Sequence, residues 1–99
     1  MNRVFSPAGA RKERRWHPVP KLPPMPPEFQ RHYQHAMHRY GQIYKTARSR
    51  RYKMSKTRTT CIWQLRRAAK AFRERGPLPE IIHHMAYCSA HIAVIDSRN

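Results

Sequence analysis

The sequence has few acids: five Asp and Glu side chains in 99 residues, against 21 Lys and Arg. It has only two cysteines, which excludes a disulfide framework and suits a reducing compartment. No apolar run approaches the roughly 20 residues that span a bilayer, so membrane insertion is not expected. The scattered acids offer no close carboxylate pair for acid–base chemistry, and no histidine stands near Cys61 in sequence to activate it. We therefore expect no enzyme, no small-molecule substrate and no cofactor.

The positive charge is concentrated in the middle of the chain. Residues 29–76 contain 14 basic residues and one acid, Glu74, whereas residues 77–99 contain one basic residue and two acids. Such a domain repels itself unless a polyanion neutralises it, which a nucleic-acid backbone does with release of counterions. Seven of the nine prolines lie within residues 1–28, which leaves about 70 residues for a marginal core. The composition predicts a small nucleic-acid-binding protein that is stable mainly within an assembly.

Residues 1–28 are predicted to form an extended, proline-rich basic arm. Each proline removes a backbone donor and disfavours the helical conformation of the residue before it, so we expect polyproline-like backbone that adds nothing to the core. The first 16 residues are basic, poor in acids and include Ser6, which is typical of an organellar targeting signal. We expect such a signal to remain uncleaved, and a disordered basic tail is an equally good interpretation.

Apolar residues recur at three- and four-residue steps after residue 28 and predict an all-α fold. A first, long basic helix is predicted over residues 29–58. Its part from residue 47 onwards is charged nearly all round, so that a bound anion is needed to stabilise it as a helix. The apolar stripe of this helix consists of Phe29, Tyr33, Ala36 or Met37, Tyr40, Tyr44 and Ala47.

Residues 59–99 predict a small C-terminal domain made of two antiparallel helices. The first begins at a cap, Thr59 or Thr60, and ends at Gly76, and the second begins at Pro79. We expect Trp63 to pack against this last helix, and stacking of its ring on an RNA base is the alternative. The apolar stripes are Ile62, Leu65, Ala69 and Phe72 in the first helix and Ile81, Met85, Cys88, Ile92 and Ile95 in the second. The last helix also carries four small residues that allow a neighbour to approach closely: Ala86, Ser89, Ala90 and Ala93.

A cluster of possible metal ligands lies in the last predicted helix. His84, Cys88 and His91 share one face, His83 adjoins them, and Cys61 is a possible fourth ligand for zinc. However, Cys88 belongs to the apolar stripe, and the paired Cys-x-x-Cys spacing of strong zinc sites is absent. We interpret the cluster as a core cysteine with surface histidines and expect no metal. A zinc-stabilised interaction module remains an alternative.

Arginine-rich segments with interleaved aromatic rings are typical of RNA binding, in which guanidiniums pair with phosphates and rings stack on unpaired bases. We expect phosphate contacts that position the protein without reading sequence. Tyr52, off the apolar stripe, is the best stacking candidate, and His32, His35 and His38 are interpreted as a polar flank near phosphates. The predicted RNA-binding residues are Arg31, Arg39, Lys45, Arg48, Arg50, Arg51, Tyr52, Lys53, Lys56, Arg58, Arg66, Arg67 and Arg73.

Three segments follow one another in a distinctive order. A basic helix from Tyr33 closes with Arg51-Tyr52-Lys53. Next come Ile62-Trp63-Gln64-Leu65-Arg66-Arg67-Ala68-Ala69 and, after Gly76, the apolar spacing of residues 79–92. Over residues 30–95 this order resembles the L-twenty family of large-subunit ribosomal proteins, particularly its mitochondrial members.

The resemblance implies a structural, non-enzymatic protein of the mitochondrial large ribosomal subunit. Such a protein would bind large-subunit rRNA through the basic helix, support early subunit assembly and meet neighbouring ribosomal proteins through the arm and the C-terminal helix. The residues alone leave a second class open, a small basic accessory subunit of an organellar membrane complex whose basic face meets anionic lipid. No predicted helix, however, has the wedge of Trp, Phe and Leu expected for interfacial insertion.

Overall fold

The computed structural model describes residues 17–46 and 51–98. They form three helices, α1 (Pro27–Thr46), α2 (Arg51–Arg75) and α3 (Pro79–Arg98), and no strand occurs within the described residues. The all-α prediction is confirmed for this part of the chain. Residues 17–26 have neither helix nor strand, and residues 1–16 of the predicted arm lie outside the described residues.

The predicted long helix over residues 29–58 is wrong in its bounds. Helix α1 ends at Thr46, and residues 51–58 form the first turns of α2. The predicted cap at Thr59 or Thr60 is likewise wrong, because both threonines lie inside α2. The physical reason is that α1 and α2 run in opposite directions along α3, so they are not two parts of one straight helix. The turn before Thr59 has its own tertiary anchor at Arg58.

The connection between α2 and α3 follows the sequence prediction. The amide of Gly76 donates to the carbonyl of Phe72 at 2.8 Å, and Gly76 adopts a φ of 90°, a left-handed conformation that glycine accommodates without strain. Pro79 occupies the first position of α3, where its missing amide leaves no hydrogen bond unmade. The amide of Ile82 reaches back to the carbonyl of Leu78 at 3.0 Å. These bonds allow α3 to return along α2.

Helix α3 lies between the other two helices and packs against both. Contacts between Gln64 and Cys88 and between Arg58 and Asp96 pair increasing numbers in α2 with decreasing numbers in α3. These two helices are therefore antiparallel. The Cα atoms extend over 47 × 35 × 16 Å, which is close to a single layer of helices.

Helix α1 runs parallel to α3, an arrangement that the sequence did not predict. The ring of His32 meets that of His83 near the start of both helices, and the ring of Tyr44 meets that of His91 further along. The flank of α3 that we expected to be available to neighbouring proteins is thus partly covered by the chain itself.

The hydrophobic core joins α2 to α3 through the predicted stripes. Ile62 and Leu65 of α2 and Met85 of α3 have no exposed surface. Leu22 and Met25 are partly buried against this cluster, which corrects the expectation that residues 1–28 add nothing to the core. The buried members of the cluster are Cys61, Ile62, Leu65, Ala68, Ala69, Ile81, Met85, Cys88 and Ile92. Buried small residues outside this cluster are Ala36, Ala86 and Ala90, which fits the expected close approach of a neighbour to α3.

Candidate nucleic-acid interface

The outer face of α2 carries a row of exposed cations. A helix turns by about 100° per residue, so positions 63, 67 and 70 fall on one face and positions 62, 65 and 69 on the opposite one. The second set is buried in the core, and the first set is exposed. We call this exposed surface the α2 outer face; it consists of Trp63, Arg66, Arg67, Lys70, Arg73 and Glu74.

The α2 outer face has the properties of a polyanion-binding surface. Three of the predicted RNA-binding residues, Arg66, Arg67 and Arg73, are exposed there, and Lys70 stands in line with them. Glu74 is the one acid on this face. Because the same helix buries its opposite side in the core, the cations are held at helical spacing by a folded scaffold rather than by a free tail. Such a row can pair with successive phosphates of a backbone.

The basic residues of α1 are also exposed. Arg31, Arg39 and Lys45 all lie on the solvent side of the helix, as expected for phosphate contacts. Arg48 and Arg50 lie outside the described residues. The remaining predicted residues from the first turns of α2 have side chains outside what the structure describes: Arg51, Tyr52, Lys53 and Lys56.

Arg58 corrects the predicted set of RNA-binding residues. It is 3% exposed, its Nε donates to Asp96 Oδ1 at 2.7 Å and its Nη2 to Asp96 Oδ2 at 3.3 Å. Its Nη1 donates to the main-chain carbonyl of His17. A guanidinium that is buried and paired in this way does not face phosphates; it ties residue 17 and the end of α3 to α2. The position of Arg58, four residues before Ile62 and seven before Leu65, extends the apolar stripe and could have revealed this.

Trp63 corrects the predicted core. We expected the indole to pack against α3, but the side chain is 56% exposed. Its ring lies 5.4 Å from the guanidinium carbon of Arg66 and meets the ring of His17 edge to face, with centroids 6.4 Å apart. The exposure of Trp63 could have been predicted from its spacing, since it is three and four residues from Arg66 and Arg67 and lies opposite Leu65.

The α1–α3 contact is built largely from histidine and tyrosine. Tyr40 stacks on His91 with centroids 4.1 Å apart, and the Tyr44 hydroxyl is 2.5 Å from His91 Nε2. Cys61 Sγ lies 3.2 Å from His91 Nδ1. A neutral imidazole has one donor and one acceptor nitrogen, so it can link Cys61 to Tyr44 in either direction. Burial lowers the pKa of His91 below its ordinary value, which favours this neutral form.

The histidines of α1 only partly match the predicted polar flank. His38 is exposed, as expected. His32, however, lies with its Nδ1 3.3 Å from Nδ1 of His83, and the His35 ring is 6.4 Å from the Tyr87 ring, centroid to centroid. Desolvation is the main cause that lowers the pKa of His83, and the charges of the neighbouring histidines lower it further. Two of the three histidines therefore contact α3.

The possible zinc ligands line a cleft of about 240 Å³ between the helices. Cys88 Sγ is 3.8 Å from His84 Nε2 and 3.7 Å from Gln64 Oε1. Burial raises the pKa of Cys61 to about 11, and burial together with the charge of Cys61 raises that of Cys88 to about 12. Burial therefore favours the protonated form of both thiols. Among the described residues, no three His, Cys, Asp or Glu side chains converge as a metal site.

Comparison with known proteins adds no assignment: no family model, curated protein or solved structure gives a significant match to the chain. Within residues 17–46 and 51–98, no helix is both long and apolar enough to cross a membrane.

Proposed function

We propose that this protein is a structural constituent of a large ribosomal subunit, in the mitochondrion, where it binds rRNA and supports subunit assembly. The observation that carries the proposal is the α2 outer face, in which Arg66, Arg67, Lys70 and Arg73 project from a helix whose other side is core. Together with the formal charge of +16 on 99 residues, this favours a partner that is polyanionic and extended.

The resemblance to the L-twenty ribosomal family supports the assignment to the ribosome and to a non-enzymatic role. One of the three segments that carry the resemblance, residues 62–69, contributes both the core residues Ile62 and Leu65 and the outward Arg66 and Arg67. In the proposed role one face of this helix packs in the protein core, and the opposite face binds rRNA. Neighbouring ribosomal proteins would meet the proline-rich arm and the exposed residues of α3.

The small size of the core also fits a protein that is stable within an assembly. The described residues form nearly one layer, 16 Å thick across its Cα atoms, so most side chains can reach a surface. Exposed large apolar side chains are scattered over separate elements, as Val19, Ile43 and Trp63. This distribution gives no support to membrane insertion, which requires a contiguous apolar wedge.

Sedimentation of a lysate tests the proposal directly. In a magnesium-containing gradient, the protein should co-migrate with a large particle and leave it after treatment with RNase. Migration with membranes instead would favour the accessory-subunit alternative and refute a ribosomal role.

A salt titration tests the proposed face. Each lost phosphate contact should lower the slope of log affinity against log salt by roughly 0.7–0.9. We expect this loss for Arg67→Gln and about three times the loss for the combined change of Arg66, Arg67 and Arg73 to Gln. Lys21→Gln, which removes one exposed charge outside residues 29–76, is the matched control and should leave the slope nearly unchanged. Equal slopes for Arg67→Gln and Lys21→Gln would show that the α2 outer face does not bind RNA.

A further inference from the structure

Trp63 is the most exposed large apolar side chain of the described residues, and it lies within the most basic surface. An isolated exposed aromatic residue needs no explanation by itself. Here the indole is not isolated, because Arg66 lies 5.4 Å from its ring centroid and the His17 ring meets it edge to face. Arg67 follows one helical turn later, and Lys70 lies in line beyond it. The indole therefore lies beside one guanidinium, and two more exposed cations lie on the same face of the helix.

An exposed indole next to cations indicates which class of partner binds there. A protein partner that covered the indole with apolar side chains would also desolvate Arg66 and Arg67, which is costly for charges left without anions. A nucleic-acid strand supplies a planar aromatic base and an anionic backbone together. In a duplex, the base faces are already stacked on one another, and the deep major groove of RNA does not admit side chains to read the bases. Within a duplex no base face is open to an indole, whereas an unpaired base offers one.

We propose that Trp63 stacks on an unpaired RNA base, with the Arg66 guanidinium extending the stacking surface and with Arg67 and Lys70 pairing with the adjoining phosphates. The inference rests on the proposed function, and it adds that the α2 outer face binds a single-stranded or bulged segment of RNA rather than a regular duplex. It also assigns to Trp63 the stacking role for which Tyr52 is the best candidate from the sequence alone.

Tryptophan emission provides a direct assay on the full chain. The sequence has two tryptophans, so Trp16→Phe leaves Trp63 as the one indole fluorophore. Oligoadenylate of about 15 nucleotides should quench this emission, because stacking places a base against the ring. Inorganic polyphosphate of equal charge, which has no bases, should bind without that quenching. Equal quenching by both polyanions would overturn the stacking. So would unchanged emission in the presence of oligoadenylate when fluorescence anisotropy shows that the oligonucleotide is bound.

Affinity measurements separate the ring from the charges. Stacking on an aromatic side chain corresponds to about 5- to 150-fold in affinity. Trp63→Ala should weaken binding of oligoadenylate by a factor in that range without changing the salt slope, while Trp63→Phe should retain most of the affinity. Arg67→Gln, by contrast, should lower the salt slope by roughly 0.7, because it removes a phosphate contact. Unchanged affinity in Trp63→Ala, or equal losses for oligoadenylate and for a fully paired duplex, would refute the assignment.

Two further readouts keep this proposal distinct from the proposed function. Urea unfolding of Trp63→Ala should have the same midpoint as the parent, and a lowered midpoint would make the indole a structural residue and overturn the stacking. If Trp63→Ala binds oligoadenylate as the parent does but the parent still co-sediments with an RNase-sensitive particle, the stacking is wrong and the ribosomal role stands. If the parent binds no RNA and enters no such particle, both proposals fail.

Discussion

The buried ion pair between Arg58 and Asp96 gives an asymmetric mutational prediction. Arg58 is 3% exposed, whereas the side chain of Asp96 is 35% exposed. Removing Asp96 leaves a guanidinium buried without its anion, a situation that typically costs about 3–5 kcal/mol. Removing the guanidinium leaves a carboxylate that water can reach, so the loss is limited to the charged hydrogen bonds, about 1.5–3 kcal/mol. Asp96→Ala should therefore destabilise the fold more than Arg58→Met, which retains the apolar stem.

The double variant sharpens the test. Asp96→Ala leaves the buried charge of Arg58 without its anion, and Arg58→Met removes that charge. The double variant should therefore be no less stable than Asp96→Ala alone. Arg67→Met, on the exposed side of the same helix, is the matched control and should shift stability by less than about 0.5 kcal/mol.

Urea unfolding followed by helical circular dichroism measures all four variants, at about 0.5 M salt so that repulsion between exposed cations is screened. A variant that is unfolded in this buffer is compared through its refolding midpoint in trimethylamine N-oxide. If Asp96→Ala is as mild as Arg67→Met, or milder than Arg58→Met, the pair behaves as a surface ion pair and the reasoning from burial is wrong.

Three further predictions concern protons, thiols and glycines. Burial lowers the pKa of His91, so the unfolded chain takes up a proton that the folded chain does not. The free energy of unfolding should therefore be greatest above about pH 7 and should fall as the pH drops below about 6.5, the ordinary histidine pKa, with a flatter profile for His91→Gln. The thiols of Cys61 and Cys88, with pKa values raised to about 11 and about 12, should react with iodoacetamide at pH 8 far more slowly in the folded protein than in urea; equal rates would contradict their burial. Gly76→Ala should cost about 1–2 kcal/mol because of the φ of 90°, whereas Gly41→Ala, where an added Cβ meets no atom within 4 Å, should stabilise α1 by about 0.5–1 kcal/mol in thermal unfolding.

The sequence predicted those elements whose signals are local. Gly76 and Pro79 punctuate the α2–α3 connection through backbone conformation alone, so the bounds of that turn were readable. The stripe from Ile62 through Leu65 was also readable, because a three- and four-residue period translates directly into one helix face. The start of α2 could not be predicted in this way, since Arg58 looks like part of a charged run until its partner is known.

The tertiary arrangement and part of the candidate site required the structure. Nothing in the sequence states that Asp96 meets Arg58 across 38 positions, and charge alone assigned that arginine to RNA. Trp63 was assigned to the core for its hydrophobicity, although its spacing relative to Leu65 placed it on the opposite side of the helix. The parallel packing of α1 on α3 depends on contacts such as Tyr40 with His91, and no short motif encodes a pairing over that distance.

The order of the helices in space has a consequence for folding during synthesis. Helix α1 is made first, yet the surface on which it packs belongs to α3, which is made after α2. The α2–α3 pair can close through one short connection, whereas α1 must wait for a contact that spans about 50 residues. During that interval Phe29, Ala36 and Tyr40 have no intramolecular cover from α3. A nascent chain would therefore present α1 to chaperones or to an assembling particle before it docks, and its docking would be the final step that commits the molecule to its compact form.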